Sequence, residues 1–278
     1  MKKMKFNRLA GRTIAAGFVL GLFMAAQSAA ACTLQNWSAA VGLDETDASQ
    51  GTIAPGAPNP AASDEVLSPR YSGRCAMAAS GQGYVEDVSP GGITRIVARF
   101  YVLANNSADA IVYEGLDGTS RVFDVTVATD GTVTLSSGSQ NISTAGNAGK
   151  WNSIEIDWTS GGDLSLIVNG GTAETGAGAA AGTLDSVRLG NINSAAGSLN
   201  FDAYESRRST AVGRLCEGET TGDGKRTSDD FLEIFDEVAS AGGVLSSGQP
   251  DFTEDGFITN DDVLGVFDLV AGAAGACP

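Results

Sequence analysis

Acidic and hydroxyl side chains recur on alternate residues near the end of this 278-residue chain, in the stretch Asp251 to Asp262, which reads DFTEDGFITNDD. Counted from Asp251, oxygen-bearing side chains stand at positions 1 (Asp251), 3 (Thr253), 5 (Asp255), 9 (Thr259) and 12 (Asp262), with Gly256 at position 6. This is the spacing of a twelve-residue calcium loop, in which the chain coils around a hard cation that takes roughly six to eight oxygens at about 2.3–2.6 Å. Gly256 permits the sharp turn, the carbonyl of Phe257 would fill position 7, and Ile258 would point away from the metal and hold the loop against a neighbour.

A shift of 32 residues towards the N-terminus lays Glu219 to Asp230 over the same positions, so the module is an internal duplication. Thr221, Asp223, Gly224, Thr227, Asp229 and Asp230 are identical to their counterparts, as are Leu232, Phe235, Asp236 and Val238 downstream. The first loop would bind through Glu219, Thr221, Asp223, the carbonyl of Lys225, Thr227 and Asp230. The second would use Asp251, Thr253, Asp255, Phe257, Thr259 and Asp262. Two Ca²⁺ ions are therefore expected, the second held more strongly, because Glu219 crowds position 1 of the first loop and Arg226 replaces the aliphatic residue at position 8. A lone match of this kind is often only an Asp/Gly turn with a helix cap; two in register are hard to explain that way.

Each loop ends in Asp rather than Glu, and no entry helix precedes either one, since Cys216-Glu-Gly218 and Ser246-Ser-Gly-Gln-Pro250 lead straight into them. The pair resembles the dockerin family of calcium-binding modules over about residues 216–278. The apolar residues Phe231, Leu232, Ile234, Phe235 and Val238, and likewise Val263, Leu264, Val266, Phe267 and Val270, predict one exit helix per loop, the two packed face to face. The resemblance implies that positions 10 and 11, Ser228 and Asp229 with Asn260 and Asp261, face a cohesin-like partner. Helix-capping and first-turn preferences alone would also put such residues there.

The elements that must present this module begin with Lys2, Lys3, Lys5, Arg8 and Arg12, an apolar run, and small residues up to Ala31. That is the pattern of a secretory signal peptide over residues 1–31, and the expected location is extracellular. A lipid-anchored Cys32 is the alternative; Ala29 stands where a lipoprotein signal favours Leu. No later run approaches the length of a membrane span. Loss of the signal's five basic residues takes the net charge from −16 to −21, which argues against nucleic acid and anionic membranes as partners. The chain has no histidine, which excludes histidine-based triads, bases and zinc sites. Four cysteines, Cys32, Cys75, Cys216 and Cys277, suggest two disulfides. Three connectivities are open, and the grouping favours Cys32–Cys75 with Cys216–Cys277.

Residues 32–69 show no sustained period and read as an irregular N-terminal segment. Beyond them, Ile93–Leu103, Ala110–Tyr113, Arg121–Val127, Thr132–Ser136, Trp151–Trp158, Leu164–Asn169, Ser186–Leu189 and Leu199–Tyr204 are β-rich runs separated by turn residues. A mainly β sandwich over residues 70–210 follows, with the small helical calcium module occupying 211–278. Tyr71 to Cys75, Trp151 to Asp157 followed by Leu164 to Gly170, and Leu199 to Tyr204 resemble the concanavalin A-like jelly roll. That fold hosts lectins, adhesive modules and glycosidases, so it does not by itself assign a function.

Glu155-Ile-Asp157 begins the Glu-x-Asp-x-(x)-Glu motif of laminarinase-like glycosidases, but the second Glu is missing. A retaining glycosidase needs two carboxyl groups about 5–5.5 Å apart, and Asp163 is too far along the chain to supply one. No catalytic residue is assigned, and alternation places Glu155 and Asp157 on the solvent face of their strand. Trp151 and Trp158 are expected in the core rather than as a sugar platform. The expectation is a secreted, non-catalytic lectin-like sandwich, able to bind polysaccharide or a cell surface, joined to a calcium-dependent interaction module. An extracellular carbohydrate-active enzyme and a purely structural or adhesive protein are the competing readings.

Overall fold

Alternation along Trp151–Thr159 sends Ile154, Ile156 and Trp158 to one side of the strand and Trp151, Ser153, Glu155 and Asp157 to the other, and the fold is built on that division. In the computed structural model, residues 63–276 are described except for 67–68, 74–75, 80, 89, 242–245, 247 and 274. The expected signal peptide and most of the 32–69 segment therefore lie outside the described residues. All described residues belong to one compact unit.

In chain order the strands are β1 (Ser63–Val66), β2 (Ala76–Ala79), β3 (Gly83–Asp87), β4 (Arg95–Asn106), β5 (Ala110–Asp117), β6 (Ser120–Val127), β7 (Val133–Ser137), β8 (Gln140–Thr144), β9 (Trp151–Thr159), β10 (Asp163–Val168), β11 (Glu174–Ala177), β12 (Ser186–Asn191) and β13 (Gly197–Arg207). Helix α1 (Ser228–Ala239) and helix α2 (Asn260–Ala273) follow, with a two-residue pair of β14 (Lys225–Arg226) and β15 (Gly275–Ala276). A seven-stranded antiparallel sheet runs β1-β2-β13-β4-β9-β10-β11 and a six-stranded one β3-β12-β5-β6-β7-β8. All eight expected runs are strands. The segment expected to be irregular contributes β1, which pairs Ser63–Val66 with Ala76–Ala79.

Between the sheets lies the main core, with Phe100, Tyr113, Phe123, Trp158 and Phe201 among its largest side chains, each fully or almost fully buried. Trp158 donates its indole N–H to Ser137 Oγ at 3.1 Å, so its one polar atom is satisfied there. In β13 the register shifts between Asp202 and Glu205, where Ala203 takes φ 51°, so two consecutive side chains, Asp202 and Ala203, face away from this core. Burial pushes the Asp202 carboxyl up to about 7, while the N–H groups of Ser72, Tyr71 and Ala203 donate to it at 2.7–2.9 Å and pull it back down. This fastens the chain before β2 across the outside of the sheet.

The outer face of the seven-stranded sheet is not left to solvent throughout. Tyr71 stacks on Tyr101 with ring centroids 3.8 Å apart and meets Trp151 edge-on at 5.8 Å, in a second cluster with Leu103 and Ala203. Both tryptophans are buried as expected, but on opposite sides of one sheet. The C-terminal module sits on this side through the buried pair Arg70–Glu237 at 2.7 Å and a Gly73 N–H donated to the Gly248 carbonyl at 2.8 Å.

Helices α1 and α2 pack through Ile234, Val263 and Val266, with Phe231, Val238, Phe252, Ile258 and Val270 around them. The face-to-face packing expected from the periodicity is narrower than its apolar stripe. Leu232, Phe235, Leu264 and Phe267 are about half exposed or more, at 53%, 49%, 61% and 49%. At position 8 of the first loop, Arg226 lies in β14, which pairs with β15 rather than with the second loop.

Candidate functional site

Both duplicated loops close by hydrogen bonds onto the carboxylates at positions 1 and 12, and those from Thr221, Thr227 and Asp223 match those from Thr253, Thr259 and Asp255. In the first, the Asp230 carboxylate accepts from Thr220 N at 2.8 Å, Thr221 N at 3.1 Å and Thr227 N at 2.6 Å. In the second, Asp262 accepts from Thr253 N and Thr259 N, both at 2.8 Å. At position 1, Glu219 accepts from Gly222 N and Asp223 N, and Asp251 from Asp255 N and Gly256 N. Positions 9 and 12 also serve the helix that follows. Thr227 caps α1 and Asp230 completes the capping box, so the residue expected to close the metal shell is at the same time the third helical residue.

The donor set can be tested against a hard cation. Asp230, Asp251 and Asp262 are fully buried and Glu219 is nearly so, which is costly for carboxylates with no cation beside them. Burial pushes the Asp251 carboxyl up to about 7, and Asp262 and Asp255 push it in the same direction against the backbone donors. Thr253 Oγ1, the expected ligand at position 3, is buried with no hydrogen-bond partner. Asp223 and Asp255 at position 5 are exposed, as are Lys225 and Phe257, whose carbonyls were expected at position 7. Among the described residues, no group of three or more His, Cys, Asp or Glu side chains is gathered so as to hold a metal ion by itself. The carboxylate oxygens are turned to backbone N–H groups instead. The residues are of the types a hard cation takes, carboxylates and a hydroxyl, and they would hold one only by turning from these N–H groups towards it.

Ser228, Asp229, Asn260 and Asp261 are exposed at the two helix starts. At helical spacing they continue into residues that sequence reasoning had assigned to the interior: Ser228 is followed one and two turns on by Leu232 and Phe235, and Asn260 by Leu264 and Phe267. The clue lay in the repeat itself, because the exposed pairs are duplicates of each other. Cys216 is disulfide-bonded. Cys32, Cys75 and Cys277 lie outside the described residues.

On the sheet, the two carboxylates of the incomplete glycosidase motif are both engaged. Glu155 was expected on a solvent face; it is buried, because the segment 208–215 crosses over it, with Val212 N and Gly213 N donating to Glu155 Oε2 at 3.1 and 2.5 Å. Arg99 Nη1 holds the same strap through the Gly213 carbonyl, and Leu215 N donates to Tyr101 Oη at 2.9 Å. Asp157 receives Arg95 through Nε at 3.0 Å and Nη2 at 2.7 Å, and that bond raises the Arg95 pKa further. Beside this ion pair, an open groove of about 690 Å³ runs over Arg95, Asp157, Thr159, Asp163, Ser165 and Thr175. Registers Asp157↔Ser165 and Ser165↔Thr175 set these side chains in a row across three strands.

No family model matches this chain, and no curated protein matches it. Among solved structures it is similar to the receptor binding domain of a botulinum neurotoxin C/D mosaic serotype (9% identity, TM-score 0.40, 53% of this chain and 44% of that one). It is also similar to the binding domain of botulinum neurotoxin DC in complex with SialylT (10%, 0.41, 60% and 49%) and to the botulinum neurotoxin type G receptor binding domain (11%, 0.41, 53% and 42%). The chain spans less than half the length of each.

Proposed function

We propose that this is a non-catalytic, extracellular binding protein: a β-sandwich that takes a hydroxyl-rich ligand such as a polysaccharide, carrying a duplicated, calcium-stabilised module that docks another protein. The observation that supports it best is the repetition in the module. The two loops share three backbone-to-carboxylate hydrogen bonds at equivalent positions, and the two helices leave the same pair of apolar residues outside. Exposed apolar patches of this kind, rimmed by polar residues, mark interaction surfaces. With Ser228, Asp229, Asn260 and Asp261 beside them, they suit the cohesin-like partner that the dockerin resemblance implies. The ions would supply positive charge to Glu219, Asp223 and Asp230 and to Asp251, Asp255 and Asp262, so metal binding would add to folding free energy. Bonding of Cys216 to Cys277 would clasp the two ends of the module, leaving Cys32 with Cys75.

Titration of the full chain with Ca²⁺ is expected to show two binding events and a rise in thermal midpoint that chelator reverses. Calcium-independent melting would remove the metal from the reading.

For the sandwich, the groove beside Asp157 supports a sugar hydroxyl network better than catalysis, since the fixed Arg95–Asp157 fork offers donors and acceptors side by side. Thr175→Trp would fill it while leaving the core untouched. On a glycan array, binding by the native chain and its loss in Thr175→Trp is the expected result; binding unaltered by the Trp would place the ligand elsewhere.

A further inference from the structure

Position 4 distinguishes the two loops. In the first it is Gly222, at φ 77°, a conformation that glycine adopts without strain. In the second it is Glu254, at φ 59°, held in the same left-handed region with a side chain attached. Strain of this sort persists only where surrounding contacts hold it in place. Here the contacts come from the sheet. The Glu254 carbonyl accepts from Trp151 N at 2.8 Å, extending the end of β9, and its carboxylate accepts from Arg214 and from Tyr71 Oη. On either side of it, the Thr253 carbonyl accepts from Lys150 Nζ at 2.9 Å, and Gly256 lies against Leu103 and Pro69. Gly224, the matching residue of the first loop, has nothing within 4 Å of where a Cβ would stand.

We propose that the second loop is a clasp between the calcium module and the sandwich, such that loading this loop with Ca²⁺ and seating its edge on Tyr71, Tyr101 and Trp151 are one coupled event. The inference rests on the calcium reading above and adds a site-specific consequence. The sheet holds residues 253–256 in the turn that a cation needs, and by linkage the cation holds those residues on the sheet. None of the sheet residues involved is a ligand. Among the described residues the first loop has no such partner on the sheet; it is held within the module, by β14–β15 and by the N–H groups of Gly248 and Gln249 on the Thr220 and Glu219 carbonyls. Beneath the clasp lies a stacked aromatic surface, with Trp151 Nε1 buried and without a hydrogen-bond partner. Loss of the ion is expected to expose that surface.

The test uses the full chain and Ca²⁺ itself. Amide exchange at Trp151 should slow about tenfold or more as calcium is added, and the slowing should vanish in Asp262→Ala and survive in Asp230→Ala. From the other side, Lys150→Ala combined with Arg214→Ala should weaken one of the two calcium sites about tenfold. In an Asp262→Ala background the same pair of changes should leave the remaining site unchanged. If calcium binds while Trp151 exchange and both affinities are indifferent to these changes, the clasp is overturned and the metal reading stands. Should no calcium bind at all, both fall together.

Discussion

Glu237→Ala is expected to destabilise the chain by about 3–5 kcal/mol, the cost of leaving one partner of a buried ion pair without the other. Arg70 and Glu237 are 2% and 5% exposed, and one guanidinium nitrogen reaches both carboxylate oxygens at 2.7 and 2.8 Å. Glu237 also accepts from Ser246 N at 2.8 Å, so its removal strands a second buried donor. The pair joins the segment before β2 to helix α1, and its loss should loosen the module from the sheet as well as lower the midpoint. Urea unfolding checks it: the single change should shift the transition strongly, whereas Arg70→Met with Glu237→Leu should recover most of the loss, because two apolar side chains leave no charge unpaired. A single mutant within 1 kcal/mol of native would mean that the pair is solvated in solution.

The next largest effect is expected from one methyl group. Gly224→Ala and Gly256→Ala are the same change at the same loop position, and both residues sit in the left-handed region, at φ 75° and 87°. An alanine there costs about 1–2 kcal/mol wherever it stands. At Gly224 nothing adds to this. At Gly256 the new Cβ would lie 2.7 Å from Leu103 Cδ2 and 3.2 Å from Pro69 Cβ. Leu103 is 3% exposed, in the cluster with Tyr101 and Trp151, so it has little room to turn away. Overpacking adds about 1–3 kcal/mol, and Gly256→Ala should therefore cost roughly 2–5 kcal/mol in thermal or urea melts. Equal costs at the two positions would mean that the second loop does not rest on the sheet.

These effects come from tertiary placement, and the sequence is informative only up to that point. Alternation in Trp151–Asp157 correctly separates the two faces of β9, because a strand's period is a local property. It does not say that residues 208–215 will cross the outer face and bury Glu155, since nothing near Glu155 in the chain records it. Among the strands absent from the sequence reading, Ala76–Ala79 and Glu174–Ala177 are short and poor in β-branched or aromatic residues, and pairing rather than propensity makes them strands. The helices failed in the other direction. Phe231 to Val238 is apolar around more than half a turn, and only packing decides that Ile234 goes in while Leu232 and Phe235 stay out. The duplication was readable because it is written in consecutive residues; which copy touches the sandwich was not.

The sheet order has a consequence for the way the chain must be made. β1 and β2 reach the rest of their sheet only through β13, and β3 reaches its own only through β12. The first three strands thus wait for β12 and β13. A chain delivered from its N-terminus, whether by a ribosome or through a pore, has nowhere to dock Ser63–Asp87 until Ser186–Arg207 has emerged more than a hundred residues later. Closure of such distant pairs is slow, since loop entropy is spent before any contact compensates it. The sandwich is expected to stay open throughout delivery and to snap shut in one late step, just before the duplicated loops arrive to cover its outer face.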